Sequence, residues 1–138
     1  YRHNLKLFNK IINENSLIDK SHFIGEINQK DVIKNLIKSD IFVFASSAET
    51  FGISLLEAMA MGMPIVCSNK SSLPEILQKG GLYFNPKNDL QLSNQIESLI
   101  RDQTLRKNKS KLARNIALKF SWEENTKKFC KIINKLTK

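Results

Sequence analysis

Ser46-Ser47-Ala48-Glu49-Thr50-Phe51-Gly52-Ile53-Ser54-Leu55-Leu56-Glu57-Ala58-Met59-Ala60-Met61-Gly62-Met63-Pro64 is the stretch from which the fold can be read. Immediately before it, Ile41-Phe42-Val43-Phe44-Ala45 is a short apolar run of β-branched and aromatic residues. Such a run predicts a strand buried on both faces. Gly52 and Gly62 punctuate the two ends of the next segment and Pro64 follows, which predicts a helix of about three turns. Ile53, Leu55, Leu56, Ala58, Met59, Ala60 and Met61 leave that helix almost no polar face, so it is expected to be buried. Strand, loop and buried helix in that order are the core of a parallel α/β unit.

Glu57 lies in the middle of the apolar helix. A buried carboxylate is costly without hydrogen bonds or opposite charge, so it needs a partner. Glu49 lies in the loop before the helix, where the amides of Gly52, Ile53 and Ser54 have no intrahelical acceptor and form a ready anion site. The glycine is read here as allowing a ligand close to the backbone. Two carboxylates repel a phosphate but accept hydroxyl donors well. The chemistry that satisfies both features is a phosphate with sugars attached.

These residues resemble the retaining GT-B glycosyltransferases of family four, also called glycosyl transferases group 1. The signature runs Glu-x-Phe-Gly-x-x-x-x-Glu-Ala-Met-Ala-x-Gly-x-Pro-Val after a strand and a serine. Here it is Ser46, Glu49, Phe51-Gly52, Glu57-Ala58-Met59-Ala60, Gly62 and Pro64-Ile65-Val66. The bare Glu pair is a weak signal, and its Phe-Gly, Glu-Ala-Met-Ala and Gly-x-Pro context makes it a strong one. The resemblance implies that Glu49 is the catalytic-site carboxylate approaching donor-sugar hydroxyls. It further implies that Thr50 and the amides of Phe51, Gly52, Ile53 and Ser54 border the donor diphosphate, and that Glu57 holds the ribose diol. Gly25 and Glu26, in a turn like the family's Phe-x-Gly-x-Val, are implied contacts of the nucleobase. Two departures stand out. Ala45 replaces a common proline and is expected to alter the strand end only, while Ser71 and Ser72 replace two glycines where a backbone-to-ligand contact would be made.

The remainder fits the same architecture. Residues 1–18 carry a helical apolar pattern, and His22 to Ile27 reads as a short strand ending in a turn. Asn28 is a candidate N-cap, with Asp31 in the first turn of a second helix ending near Ser39. Ile65-Val66-Cys67 and Leu82-Tyr83-Phe84 read as further strands, with a short helix at Glu75-Ile76-Leu77 between them. A helix is expected over Leu90 to Ile100, and helix thereafter. Ser121 with Glu124 makes a capping box, and Trp122, Phe129, Ile132, Ile133 and Leu136 form the closing helix's stripe. The expected fold is thus α/β, a partial doubly wound, Rossmann-like parallel sheet with C-terminal helices. Residues 1–138 are expected to be a single incomplete nucleotide-sugar-binding domain, with 101–138 a basic helical tail within it.

Matched to the family, the strands at 23, 41, 65 and 82 are the third to sixth of the nucleotide domain. The first two strands, an Arg and a Lys that clamp the diphosphate, and the N-terminal acceptor domain have no counterpart in this sequence. The resemblance therefore implies a fragment, inactive alone, of an enzyme that moves a hexose from a nucleotide diphosphate sugar to a hydroxyl acceptor with retention. The implied partners are that donor, a hydroxyl acceptor such as a lipid-linked one, and the missing N-terminal domain.

Composition bounds the alternatives. No run of about 18 apolar residues is present to span a membrane. Of 22 basic and 13 acidic residues, the first hundred positions hold ten of each, so the net charge of +9 comes from the last 38. Such a tail is most simply a solvated helix surface, and it also suits peripheral contact with an anionic membrane. Nucleic acid is not expected, because basic and aromatic residues are not interleaved. Cys67 and Cys130 are too few and too far apart for a disulfide framework or zinc site and are read as small packing residues in a reducing compartment. No Asp-x-Asp occurs, so the metal-dependent GT-A route has no support, and the GT-B resemblance implies that no metal is needed, nor any cofactor besides the donor substrate. The expected location is cytoplasmic, at the inner membrane face if the acceptor is lipid-linked. Two other readings are a nucleotide-sugar epimerase of the same architecture and a non-catalytic module binding through its basic tail.

Overall fold

A computed structural model describes residues 2–136, apart from the side chains of Arg2, His3, Asn4, Trp122 and Glu124. The capping box at Ser121 and Glu124 and the place of Trp122 in the closing stripe therefore lie outside the described residues. The chain forms two compact units, residues 1–32 and 33–138.

In the first unit, helix α1 (Arg2–Glu14) is followed by one 3-10 turn at Ile18–Lys20 and by the start of α2 (Gln29–Lys38). Asn28 caps α2 as its sequence predicts: its Oδ1 accepts the Asp31 N–H at 3.1 Å. The strand expected from His22 to Ile27 does not form. Phe23 and Ile24 have strand composition but are 51% and 56% exposed. A strand exists only through ladder hydrogen bonds to a neighbour, and among the described residues no such neighbour pairs with this segment. Phe23 makes a tilted ring contact with Phe8, centroids 5.8 Å apart.

The second unit alternates β1 (Phe42–Phe44), α3 (Ile53–Ala60), β2 (Ile65–Ser68), α4 (Leu73–Leu77), β3 (Leu82–Phe84) and α5 (Asp89–Arg101), then continues through α6 (Gln103–Ala117) and α7 (Trp122–Leu136). The strands are parallel in the order β1-β2-β3, with Phe42 beside Ile65 and Cys67 beside Tyr83. This is the doubly wound α/β arrangement, with three strands and not four among the described residues.

Side-chain alternation along β2 explains the layers. Ile65 and Cys67 join Leu55, Ala58 and Met59 of α3, Leu73, Ile76 and Leu77 of α4, and Ala113, Ile116 and Ala117 of α6 in the larger core. Val66 points the other way into a smaller core with Phe84 and Leu99 of α5. Gly80 lets α6 close down, since a Cβ there would come within 2.8 Å of the Ala113 Cα. All four residues of β2 are buried, as befits a middle strand.

β1 is less covered than its composition predicts. Val43 is 39% exposed between two half-buried phenylalanines. The strand is an outer one, and the layer expected on its far face is absent among the described residues. The two cysteines also part company: Cys67 is buried, and burial pushes its thiol up to about 12, whereas Cys130 is exposed and not a packing residue. The periodicity of α7 puts position 130 outside its apolar stripe.

Candidate functional site at the head of α3

Gly52 begins the site. It is the N-cap of α3 in a left-handed conformation, φ +76°, and contributes no side chain to the cap. A Cβ there would lie 3.1 Å from Leu73 Cδ2 and 3.5 Å from Phe44 Cε1. The glycine is therefore required by its φ and by core packing, and the sequence-based reason, close approach of a ligand, is not the one the geometry displays.

The helix start is open. The Gly52 carbonyl accepts the N–H groups of Leu55 at 3.0 Å and Leu56 at 3.2 Å. Among the described residues the N–H groups of Ile53 and Ser54 have no acceptor. These are the orphan donors that suit an anion. At the other end α3 closes on itself in a Schellman motif: Gly62, φ +71°, donates to Met59 at 2.9 Å and Met63 to Ala58 at 3.1 Å. Only the leading end of the helix is left with amides to offer.

Glu49, half-buried, precedes this end, and its main chain is fixed by the loop between β2 and α4. Its N–H donates to Ser71 Oγ at 3.1 Å, and the Ser71 hydroxyl donates in turn to its carbonyl oxygen. The Ser72 hydroxyl donates to the same carbonyl at 3.3 Å. Ser71 itself is left-handed, φ +58°. Earlier in the loop, the Ser46 hydroxyl donates to the Ala48 carbonyl at 3.1 Å. Glu57, in the second turn of α3, is half-buried, so it is not the fully buried carboxylate that the apolar helix suggests. The reason is that α3 buries one side only: Leu55, Ala58 and Met59 face the core, whereas Ile53 is 65% exposed.

Ile53 and Phe51 instead line a groove of about 350 Å³ with Leu56, Phe120, Ser121 and Asn125. Phe51 meets Phe120 edge to face, centroids 5.9 Å apart. The structure thus gathers Glu49, Thr50, Phe51, Gly52, Ile53, Ser54 and Glu57 around one helix start. Gly25, φ +73°, and Glu26 belong to the other compact unit, at an exposed turn. The serine clamp and the Phe120 wall are site features that the sequence motif does not include. The replacement of two glycines by Ser71 and Ser72 is the local signal for the first; nothing local to Phe120 signals the second. Among the described residues no three metal-ligating side chains converge.

Comparison with known proteins gives the same arrangement a family. Residues 2–116 match the family described as glycosyl transferases group 1. The chain is 34% identical over 104 residues to the O-antigen chain mannosyltransferase B of Escherichia coli, covering 75% of this chain and 27% of that protein. It is 33% identical over 119 residues to the N,N'-diacetylbacillosaminyl-diphospho-undecaprenol alpha-1,3-N-acetylgalactosaminyltransferase of Campylobacter jejuni, covering 85% and 31% respectively. Among solved structures, the C-terminal domain of a glycosyl transferase group 1 family protein from Francisella tularensis superimposes with a TM-score of 0.75 at 26% identity, over 84% of this chain and 61% of that one. The chain spans roughly a quarter to a third of the length of these curated relatives. With the Glu49 to Glu57 signature folded into a strand, an open helix start and a parallel sheet, the chain belongs to the glycosyl transferases group 1 family and corresponds to the C-terminal part of its GT-B fold.

Proposed function

We propose that this chain is the donor-binding part of a retaining hexosyltransferase, which transfers a sugar from a nucleotide diphosphate sugar to a hydroxyl acceptor in surface polysaccharide or lipid-linked glycan synthesis. The observation that carries the reading is the open start of α3, with two unpaired amides, preceded by Glu49 and followed one turn on by Glu57. In this reading the amides of Phe51 to Ser54 take the diphosphate, Glu49 orients the sugar hydroxyls, and Glu57 accepts from the ribose diol. The chemistry asked of these groups is positioning of the sugar and stabilisation of negative charge on the leaving diphosphate. No metal and no separate cofactor is assigned a role.

The matched relatives, a mannosyltransferase and an N-acetylgalactosaminyltransferase acting on an undecaprenol-linked acceptor, support the reaction class and a lipid-linked acceptor. The same reading puts the enzyme in the cytoplasm with its acceptor at the inner membrane face. Support comes from α7, where exposed Phe129, Ile132, Ile133 and Leu136 lie on one arc and Lys127, Lys128, Lys131 and Lys135 on another.

Calorimetric titration of the full-length protein with a panel of nucleotide diphosphate sugars tests the assignment. Glu57→Gln removes the charge that strengthens hydrogen bonds from a diol, and donor affinity is expected to fall about tenfold or more. Unchanged affinity in the variant, or no binding by any member of the panel to the native protein, sinks the proposal.

A further inference from the structure

The clamp on Glu49 is built from two side chains that the family signature does not contain. Ser71 both accepts from the Glu49 N–H and donates to the Glu49 carbonyl, so one hydroxyl brackets both polar groups of that residue's main chain. Ser72 adds a second donor to the same carbonyl. A non-glycine residue at φ +58° is strained, and the family's common glycine would adopt that angle freely. The strained serine stands at the position where its hydroxyl reaches Glu49 across more than twenty residues of sequence.

We propose that Ser71 and Ser72 are positioning residues, which hold the loop carrying Glu49 at the head of α3 so that its carboxylate meets the donor sugar in one orientation. The inference rests on the proposed role of Glu49. Its consequence is local: the loop carrying Glu49 is tied to the loop after β2 by side-chain bonds. A main chain fixed before the sugar arrives lowers the ordering cost of the reacting arrangement, while the diphosphate, bound by α3 amides, does not depend on it.

Two variants separate positioning from mere stability. Ser71→Gly removes the hydroxyl and relieves the backbone strain; Ser71→Ala removes the hydroxyl and keeps the strain. In the full-length protein, both are expected to lower kcat for sugar transfer about tenfold with KM for the donor changed less than twofold, although only Ser71→Ala lowers Tm. Ser72→Ala, which removes one weaker bond, is expected to lower kcat by less. Loss of kcat that follows Tm, with Ser71→Gly behaving as the native protein, overturns the inference and leaves the proposed function standing. Absence of sugar transfer by the native protein overturns both.

Discussion

At the scale of single residues the site is set by positions that cannot be exchanged for a near neighbour. Gly52 is the clearest: any side chain there meets Leu73 and Phe44 and must also adopt a left-handed φ. Gly52→Ala is expected to destabilise the protein by about 1–3 kcal/mol through backbone strain, with the contact to Leu73 adding to the loss. Chemical denaturation of native and variant protein measures it, and a change within about 0.5 kcal/mol would show that the α3 start relaxes freely. The sequence reads this glycine as room for a ligand, and the structure adds two requirements of its own, the left-handed φ and the core packing. Its neighbours in space, Phe44 and Leu73, lie on other elements and carry no local mark of contact with it. Glu57 teaches the same lesson in reverse. An apolar helix predicts a buried carboxylate, yet which side of a short helix is covered depends on what packs against it, and α3 leaves Ile53 outside.

Elements are most legible where their ends are signalled by their own residues. Asn28, Gly62 and Pro64 mark boundaries that the structure reproduces, because capping is a local hydrogen-bond problem. The corner between α5 and α6 has the same logic in a tighter form. Asp102 ends α5 with its N–H on the Ser98 carbonyl at 3.0 Å and starts α6 by accepting the Leu105 N–H at 2.8 Å. Arg106 reaches back to the Leu99 and Ile100 carbonyls at 2.8 and 3.2 Å, closing the end of α5. Asp102→Ala is expected to cost about 1 kcal/mol, while Asp102→Asn, which keeps the accepting oxygen, costs less. Thermal melts of the two variants distinguish them, and equal losses would mean that charge and not the hydrogen bond matters at this cap. The segment from His22 to Ile27 shows where such reading ends. Its composition suits a strand, but a strand is a relation between two segments, and pairing cannot be read from one of them alone. The serine clamp on Glu49 is legible only in half: the replacement of two glycines marks Ser71 and Ser72, and nothing local marks Glu49 as their partner.

For the molecule as a whole, the most informative feature is how much apolar surface stands uncovered. In the first unit Leu7, Phe8, Ile11, Phe23 and Ile24 are between 37% and 56% exposed. In the second, Val43 is exposed on the outer strand, and the apolar arc of α7 is open from Phe129 at 64% to Leu136 at 77%. Amphipathic helices with their apolar arcs in water and a strand edge without a neighbour are surfaces that proteins usually cover. The sheet's free edge is short, which limits strand addition, so association through helix faces is the larger effect. The isolated 138-residue chain is therefore expected to self-associate reversibly with rising concentration and to bind a hydrophobic dye. Its net charge of +9 opposes association at low ionic strength, and added salt, by screening that charge, should shift the equilibrium toward larger species. Sedimentation velocity across a concentration series at two salt levels tests this. A single monomeric boundary under all conditions, without dye binding, would show that these faces do not drive association. Under that outcome the open arcs of α1 and α7 would no longer support contact with further protein or with a membrane.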